Sequence, residues 1–158
     1  MSETNPFTVF GVVPRDEAVR RSGLEFLQDL LARRIPAAPI SETAGFWLAE
    51  VEAGRAVFVG VPSARFLNPL GTVHGGWMAT LLDSAMGCAV HSLLKAGQSY
   101  TTAELKVNFV RPVTPRSGTL RCDGKVVHGG NRLATAEGRL TDATGKLLAH
   151  GSTTCMIL

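Results

Sequence analysis

Apolar positions along the chain switch between two periods. Leu24, Leu27 and Leu31, flanked by Phe26 and Leu30, form a stripe at helical spacing. Pro14 and the acidic turn Arg15-Asp16-Glu17 open this segment, Arg33-Arg34 occupy its last turn, and Pro36 and Pro39 stop it. One N-terminal helix is therefore predicted, after an extended arm over residues 1–14. The stretch PAAPISET reads as loop. Residues 45–61 alternate as two short strands joined at Glu52-Ala53-Gly54, and Pro62 to Gly76 is loop-like. Residues 77–94, WMATLLDSAMGCAVHSLL, are apolar nearly all round, which means a helix buried on most sides. From Thr101 the period returns to two. Leu105, Val107 and Phe109 alternate, Arg111-Pro112 ends that strand, and further strands are predicted at 117–128, 131–141 and 145–156. His128-Gly129-Gly130-Asn131 and Asp142-Ala143-Thr144-Gly145 supply hairpin turns. The order predicts an α+β fold, an antiparallel six-stranded sheet curled round one long central helix, with an additional N-terminal helix.

Asp83 is the only acidic residue in the apolar helix. A buried carboxylate is costly unless it is paired, wet or used. Either a neighbouring hydroxyl such as Thr80 or Ser84 holds it, or it serves as a base. The helix is preceded by Asn68-Pro69-Leu70-Gly71-Thr72-Val73-His74-Gly75-Gly76. Glycines at a helix start either permit tight packing or leave backbone N–H groups open to an oxyanion or a carbonyl oxygen. His128-Gly129-Gly130 repeats the tripeptide but precedes an alternating strand, so that copy reads as a turn.

Composition narrows the classes. A chain of 158 residues, 45% hydrophobic and 18% charged, fits one folded domain. No apolar run reaches the ~18 residues of a membrane span, and MSETNPFTVF lacks the pattern of a secretory signal. A cytoplasmic location is expected. Cys88, Cys122 and Cys155 form no CxxC and read as reduced, buried thiols. A net charge of +3 with 6% aromatics gives no argument for nucleic acid. No GxSxG or GxxxxGK[ST] occurs, and His74, His91, His128 and His150 lack metal-type spacing. His91 follows Asp83 by eight residues, about 12 Å along a helix, and is no direct partner.

Asn68, His74-Gly75-Gly76, and Asp83 nine residues after the histidine resemble the hotdog-fold acyl-CoA thioesterases, especially the PaaI-like group. Thr102 to Pro112, TAELKVNFVRP, looks like that group's strand after the helix. The resemblance spans residues 43–156. It implies an N-terminal arm and helix over 1–42 and a hotdog domain over 43–158. It also implies hydrolysis of an acyl-CoA to free acid and CoA, with no metal or cofactor. In this likeness Asp83 is the general base or nucleophile, and the Gly75 N–H polarises the thioester carbonyl. Asn68 positions substrate or water, His74 holds the loop or serves as an acid, and Thr102 assists the attacking water with Thr101 beside it. Gly76, Trp77, Gly130 and Arg132 are the expected substrate contacts. Lys106, Arg111 and Arg116 are further cations available to the nucleotide phosphates. Expected partners are the acyl-CoA substrate and further copies of the chain, as a dimer or a dimer of dimers (a homotetramer), without nucleic acid or membrane.

Spacing adds an independent constraint. Gly75 and Asp83 on one continuous helix lie about 12 Å apart along its axis, so one carbonyl carbon cannot react at both. If both act, they come from different chains. Two rivals remain: a hotdog hydratase or dehydratase, and a non-catalytic acyl-CoA binding protein.

Overall fold

The computed structural model describes residues 4–158, so the first three residues of the expected arm lie outside the described residues. Among the described residues the chain forms four α-helices and six strands. The helices are α1 (Arg15–Ala18), α2 (Gly23–Leu31), α3 (Pro39–Ala44) and α4 (Gly75–His91). The strands are β1 (Phe46–Glu52), β2 (Arg55–Gly60), β3 (Tyr100–Phe109), β4 (Leu120–Gly129), β5 (Leu133–Thr141) and β6 (Leu147–Ile157). They form one antiparallel sheet in the order β1-β2-β4-β5-β6-β3, which leaves β1 and β3 at its edges.

The sheet curls round α4, and the register shows how it gets close enough. Ala56, Gly124, Gly138 and Gly151 stand opposite one another on β2, β4, β5 and β6. A Cβ on Gly124 would run into the backbone of Ala85 and Met86, and one on Gly138 would lie 2.9 Å from Met86 Cγ. A row nearly free of side chains thus forms the groove in which α4 lies. Leu81, Leu82, Ala85, Met86 and Ala89 are fully buried there. Each of the larger ones contributes about 1.5–3 kcal/mol of burial.

The N-terminal region departs from expectation in two places. The predicted single helix is two, because Ser22 starts a new one. Its hydroxyl accepts from the Glu25 N–H at 3.3 Å, and the Glu25 carboxylate accepts from the Ser22 N–H at 2.8 Å. The break lets Gly23 dock on the end of α4, where its N–H donates to the Leu94 carbonyl at 2.9 Å. The expected loop PAAPISET contains α3, which starts with Pro39 in its first turn and ends at Gly45 with φ 64°.

A bulge in β3 decides which side chains face α4. Register shifts between Thr102 and Glu104 against β6, so Ala103 is extra. Tyr100, Thr102, Leu105 and Val107 then share the inner side, and Thr101 turns outward and is exposed. No helix among the described residues is long and apolar enough to cross a membrane.

Candidate active site

The chain before α4 is shaped by its own polar groups. Asn68 Oδ1 accepts from the N–H groups of Leu70 (2.9 Å) and Thr72 (3.3 Å), while its Nδ2 donates to Thr72 Oγ1 at 2.8 Å. These bonds close the loop that delivers His74. His74 caps the helix, its Nδ1 accepting from the Gly76 N–H at 2.9 Å. The Trp77 N–H donates to the His74 carbonyl at 3.0 Å. Of the first three helical N–H groups, that of Gly75 alone has no partner among the described residues, and it carries the positive end of the helix dipole. The Phe109 ring lies over Gly75, where a Cβ would come within 3.0 Å of its Cζ.

Asp83 occupies a different environment two turns along. The Thr102 hydroxyl, which the bulge turns toward α4, donates to Asp83 Oδ1 at 2.9 Å. Neither neighbour expected from sequence holds it. Thr80 instead donates to the Gly76 carbonyl at 2.9 Å. Among the described residues no buried side-chain oxygen or nitrogen lacks a partner, so Asp83 Oδ2, with none, faces open space. That space is a cavity of about 400 Å³, within the size range of small-ligand sites. Asp83, Ser84, Cys88 and His91 line it from α4, Tyr100 and Thr102 from β3, Phe46 and Leu48 from β1, and Phe26, Leu27 and Leu30 from α2.

Burial sets the protonation of the groups around Asp83. It pushes the Cys88 thiol up to about 12, with the Asp83 charge adding to the effect. Tyr100 is raised well above its usual range, mainly by burial. His91 falls to about 4 for the same reason. At neutral pH these are a thiol, a phenol and a neutral imidazole. Cys155 is raised too, again first by burial, which leaves the thiols near Asp83 poor nucleophiles. Asp83 is the carboxylate of a cavity lined by no lysine or arginine.

The other sequence candidates lie elsewhere. Trp77 is buried in the core, stacked on Phe66 at 5.7 Å, and its Nε1 donates to the Ala44 carbonyl at 2.7 Å. Gly130 borders a smaller cavity of about 210 Å³ beyond the far end of α4, with Leu93, Leu94 and Lys95. Arg132 is exposed beside it, its carbonyl accepting from the Ile157 N–H. Thr101 sits on the outer face opposite Met156. Within one chain the structure joins Asp83 to Thr102 and joins Asn68, His74, Gly75 and Gly76 in one turn, but it does not bring these two groups together. Sequence reasoning passed over Tyr100 and Cys88 as cavity walls. No local spacing marked either: Cys88, five residues from Asp83, lies about 140° round an ideal helix, and Tyr100 stands on β3.

The Thioesterase superfamily profile matches residues 70–149, just over half of the chain. A protein of Saccharolobus solfataricus assigned as an esterase is 35% identical over 98 residues, 61% of this chain and 67% of its own length. The 1,4-dihydroxy-2-naphthoyl-CoA hydrolase of Listeria monocytogenes is 25% identical over 109 residues, 69% of this chain and 87% of its own. A phenylacetic acid degradation-related protein of Ralstonia eutropha, assigned as a thioesterase, superposes with TM-score 0.75 at 30% identity. That likeness covers 82% of this chain and 97% of that one. By the family match and the shared sheet-and-helix architecture, the chain belongs to the thioesterase superfamily and is a thioester hydrolase of hotdog fold.

Proposed function

We propose that the chain hydrolyses acyl-CoA thioesters to free acid and CoA in sites shared between two copies. The observation that carries this reading is the Asp83 carboxylate, oriented by Thr102 and open to a largely apolar cavity. Asp83 either takes a proton from the attacking water or attacks the carbonyl carbon itself. The Gly75 N–H of the other copy stabilises the oxyanion of the tetrahedral intermediate. Collapse of that intermediate expels the CoA thiolate; attack by water leaves the free acid at once, whereas attack by Asp83 leaves an acyl anhydride on the carboxylate that a water then hydrolyses to the acid. Thr102 fixes the carboxylate, and His74 shapes the helix start so that the Gly75 N–H stays free. Asn68 orders the loop that carries His74 and Gly75. Gly76, Trp77 and Thr101 remain candidates for substrate contact, and Gly130 and Arg132 for the pantetheine or nucleotide.

Two features support a shared site. Eight residues of continuous helix separate Gly75 from Asp83. The ten-residue strand β3, paired with β6 on one side only, offers the outward backbone groups of its free edge to a second copy, which gives a dimer or a dimer of dimers. The CoA hydrolase among the relatives supports CoA as the leaving group. Three free cysteines suit the cytoplasm. A thiol-release assay across aryl and straight-chain acyl-CoAs tests the reading. Asp83→Ala keeps the circular dichroism of the wild type and loses 10²-fold or more in turnover, as does Asp83→Asn, which keeps the shape without the base. Near wild-type release from either variant contradicts it.

A further inference from the structure

The Asp83 cavity reaches the edge strand β1, where the N-terminal arm borders it through Gly11, Val12 and Val13. Phe46, Trp47 and Leu48 all line it. Successive strand residues face opposite sides of the sheet, so the cavity wraps the edge of β1. A second groove, of about 750 Å³, also borders β1. Leu31, Ala49 and Val59 give it apolar walls, and Arg33, Glu50 and Arg121 add charge. Among the described residues the two spaces share three wall residues: Phe7, Trp47 and Leu48. β1 fixes two of these, since Trp47 and Leu48 pair with Val59 and Phe58 of β2. Phe7 is the one member of the shared wall that the sheet does not hold.

The arm is lightly anchored apart from that ring. Between residues 4 and 14 only Phe7 is buried, 6% exposed against Ala37, Trp47 and Val59. The Gly11 N–H donates to the Ala37 carbonyl at 2.9 Å, and the Ala37 N–H donates to the Val9 carbonyl at 3.0 Å. Val9 and Val12 point to solvent, at 66% and 82% exposure. A phenyl ring in this place does more than hold the arm down, because it also divides the two spaces.

We propose that Phe7 is a specificity-determining residue whose ring plugs the acyl channel at β1 and so limits the length of acyl group the cavity takes. This rests on the reading of Asp83 as the catalytic carboxylate, which puts the thioester carbonyl at that end of the cavity and sends the acyl tail along Phe46 and Leu48 toward the ring. The Ser41 and Ser84 hydroxyls line the same cavity, so the limit on length comes from shape and not from uniform apolarity. Without the ring the two spaces join, and Leu31, Ala49 and Val59 receive the further methylenes of a longer tail.

The test is the ratio of kcat/KM for palmitoyl-CoA to that for octanoyl-CoA, both below their micelle concentrations. It is taken within each protein, so changes in overall activity cancel. Phe7→Ala raises the ratio about tenfold or more over the wild type, the gain from burying about two or three further methylenes. Phe7→Trp lowers it. Phe10 packs on the same cluster but borders neither space, so Phe10→Ala leaves the ratio as it is in the wild type. An unchanged ratio in Phe7→Ala overturns the proposal. So does an equal rise in Phe10→Ala, which assigns the effect to a loosened arm. A second measurement needs no turnover. The chain has two tryptophans, so fluorotryptophan labelling gives two fluorine signals, and Trp47→Phe identifies that of Trp47. The ligands are S-octyl-CoA and S-hexadecyl-CoA, thioethers with no carbonyl to attack. In Phe7→Ala the longer thioether shifts the Trp47 signal further than the shorter one, while in the wild type both shift it alike. Equal shifts in Phe7→Ala, or the same difference in the wild type, overturn the proposal. Where neither straight-chain acyl-CoA is hydrolysed, the fluorine signals decide on Phe7 alone. Failure of the aryl acyl-CoAs as well defeats the thioesterase reading instead.

Discussion

At the scale of single residues, the site depends on who holds the Asp83 carboxylate. Thr102 is nineteen residues away in sequence and donates at 2.9 Å. A hydrogen bond to a charged group is worth about 1.5–3 kcal/mol, so Thr102→Val lowers kcat about 10- to 100-fold. Thr102→Ser restores most of it, because the serine hydroxyl reaches the same oxygen. A loss that Thr102→Ser fails to rescue assigns the threonine to packing instead. His91 makes a second prediction. Its folded pKa of about 4 lies below the unfolded value of about 6.5. Between those values the unfolded chain binds a proton that the folded chain refuses, so stability falls as pH drops through this window and is complete above it. The loss reaches about 3 kcal/mol at most. Thermal melts from pH 7.5 to 4.5 show it in the wild type, and His91→Phe loses markedly less over the same range.

At the scale of elements, the helix and the strands rest on different kinds of information. α4 was legible because WMATLLDSAMGCAVHSLL is apolar on nearly every side, and only a helix wrapped by other structure needs that. The strands were legible from period-two patterns and from the Gly-containing turns between them. The break before α2 was written locally, as Ser22 followed by Glu25, but the continuous stripe of leucines masked it. The partner of Asp83 was not legible. It depends on a one-residue bulge at Ala103, a register event between β3 and β6 that no local pattern records. The groove that receives α4 is likewise a cross-strand property, since Gly124 and Gly138 are neighbours only once β4 and β5 pair. Gly124→Val tests that groove. The added side chain meets the backbone of Ala85 and Met86, which cannot yield as a flexible side chain would. A loss of about 3 kcal/mol or more in urea unfolding is expected, at the upper end of overpacking costs. An unchanged midpoint contradicts close helix–sheet contact.

At the scale of the whole molecule, one chain holds well apart the two groups that the proposed reaction joins. A free N–H stands at the start of α4, and a carboxylate stands two turns along in its own cavity. The long exposed edge of β3 ends at Phe109, which is 52% exposed and lies against Gly75. The proposed dimer pairs a second copy along that edge, beside the start of α4. The central claim, that catalysis joins Gly75 of one copy to Asp83 of another, is tested most directly by mixing two inactive variants. Gly75→Pro removes the N–H at a position where a helix tolerates proline, and Asp83→Ala removes the carboxylate. After subunit exchange, with hybrids verified by native mass spectrometry, each hybrid dimer holds one intact site and one doubly damaged site. An equal mixture should recover about a quarter of wild-type thiol release by random pairing. No recovery in a sample proven to contain hybrids contradicts the shared site.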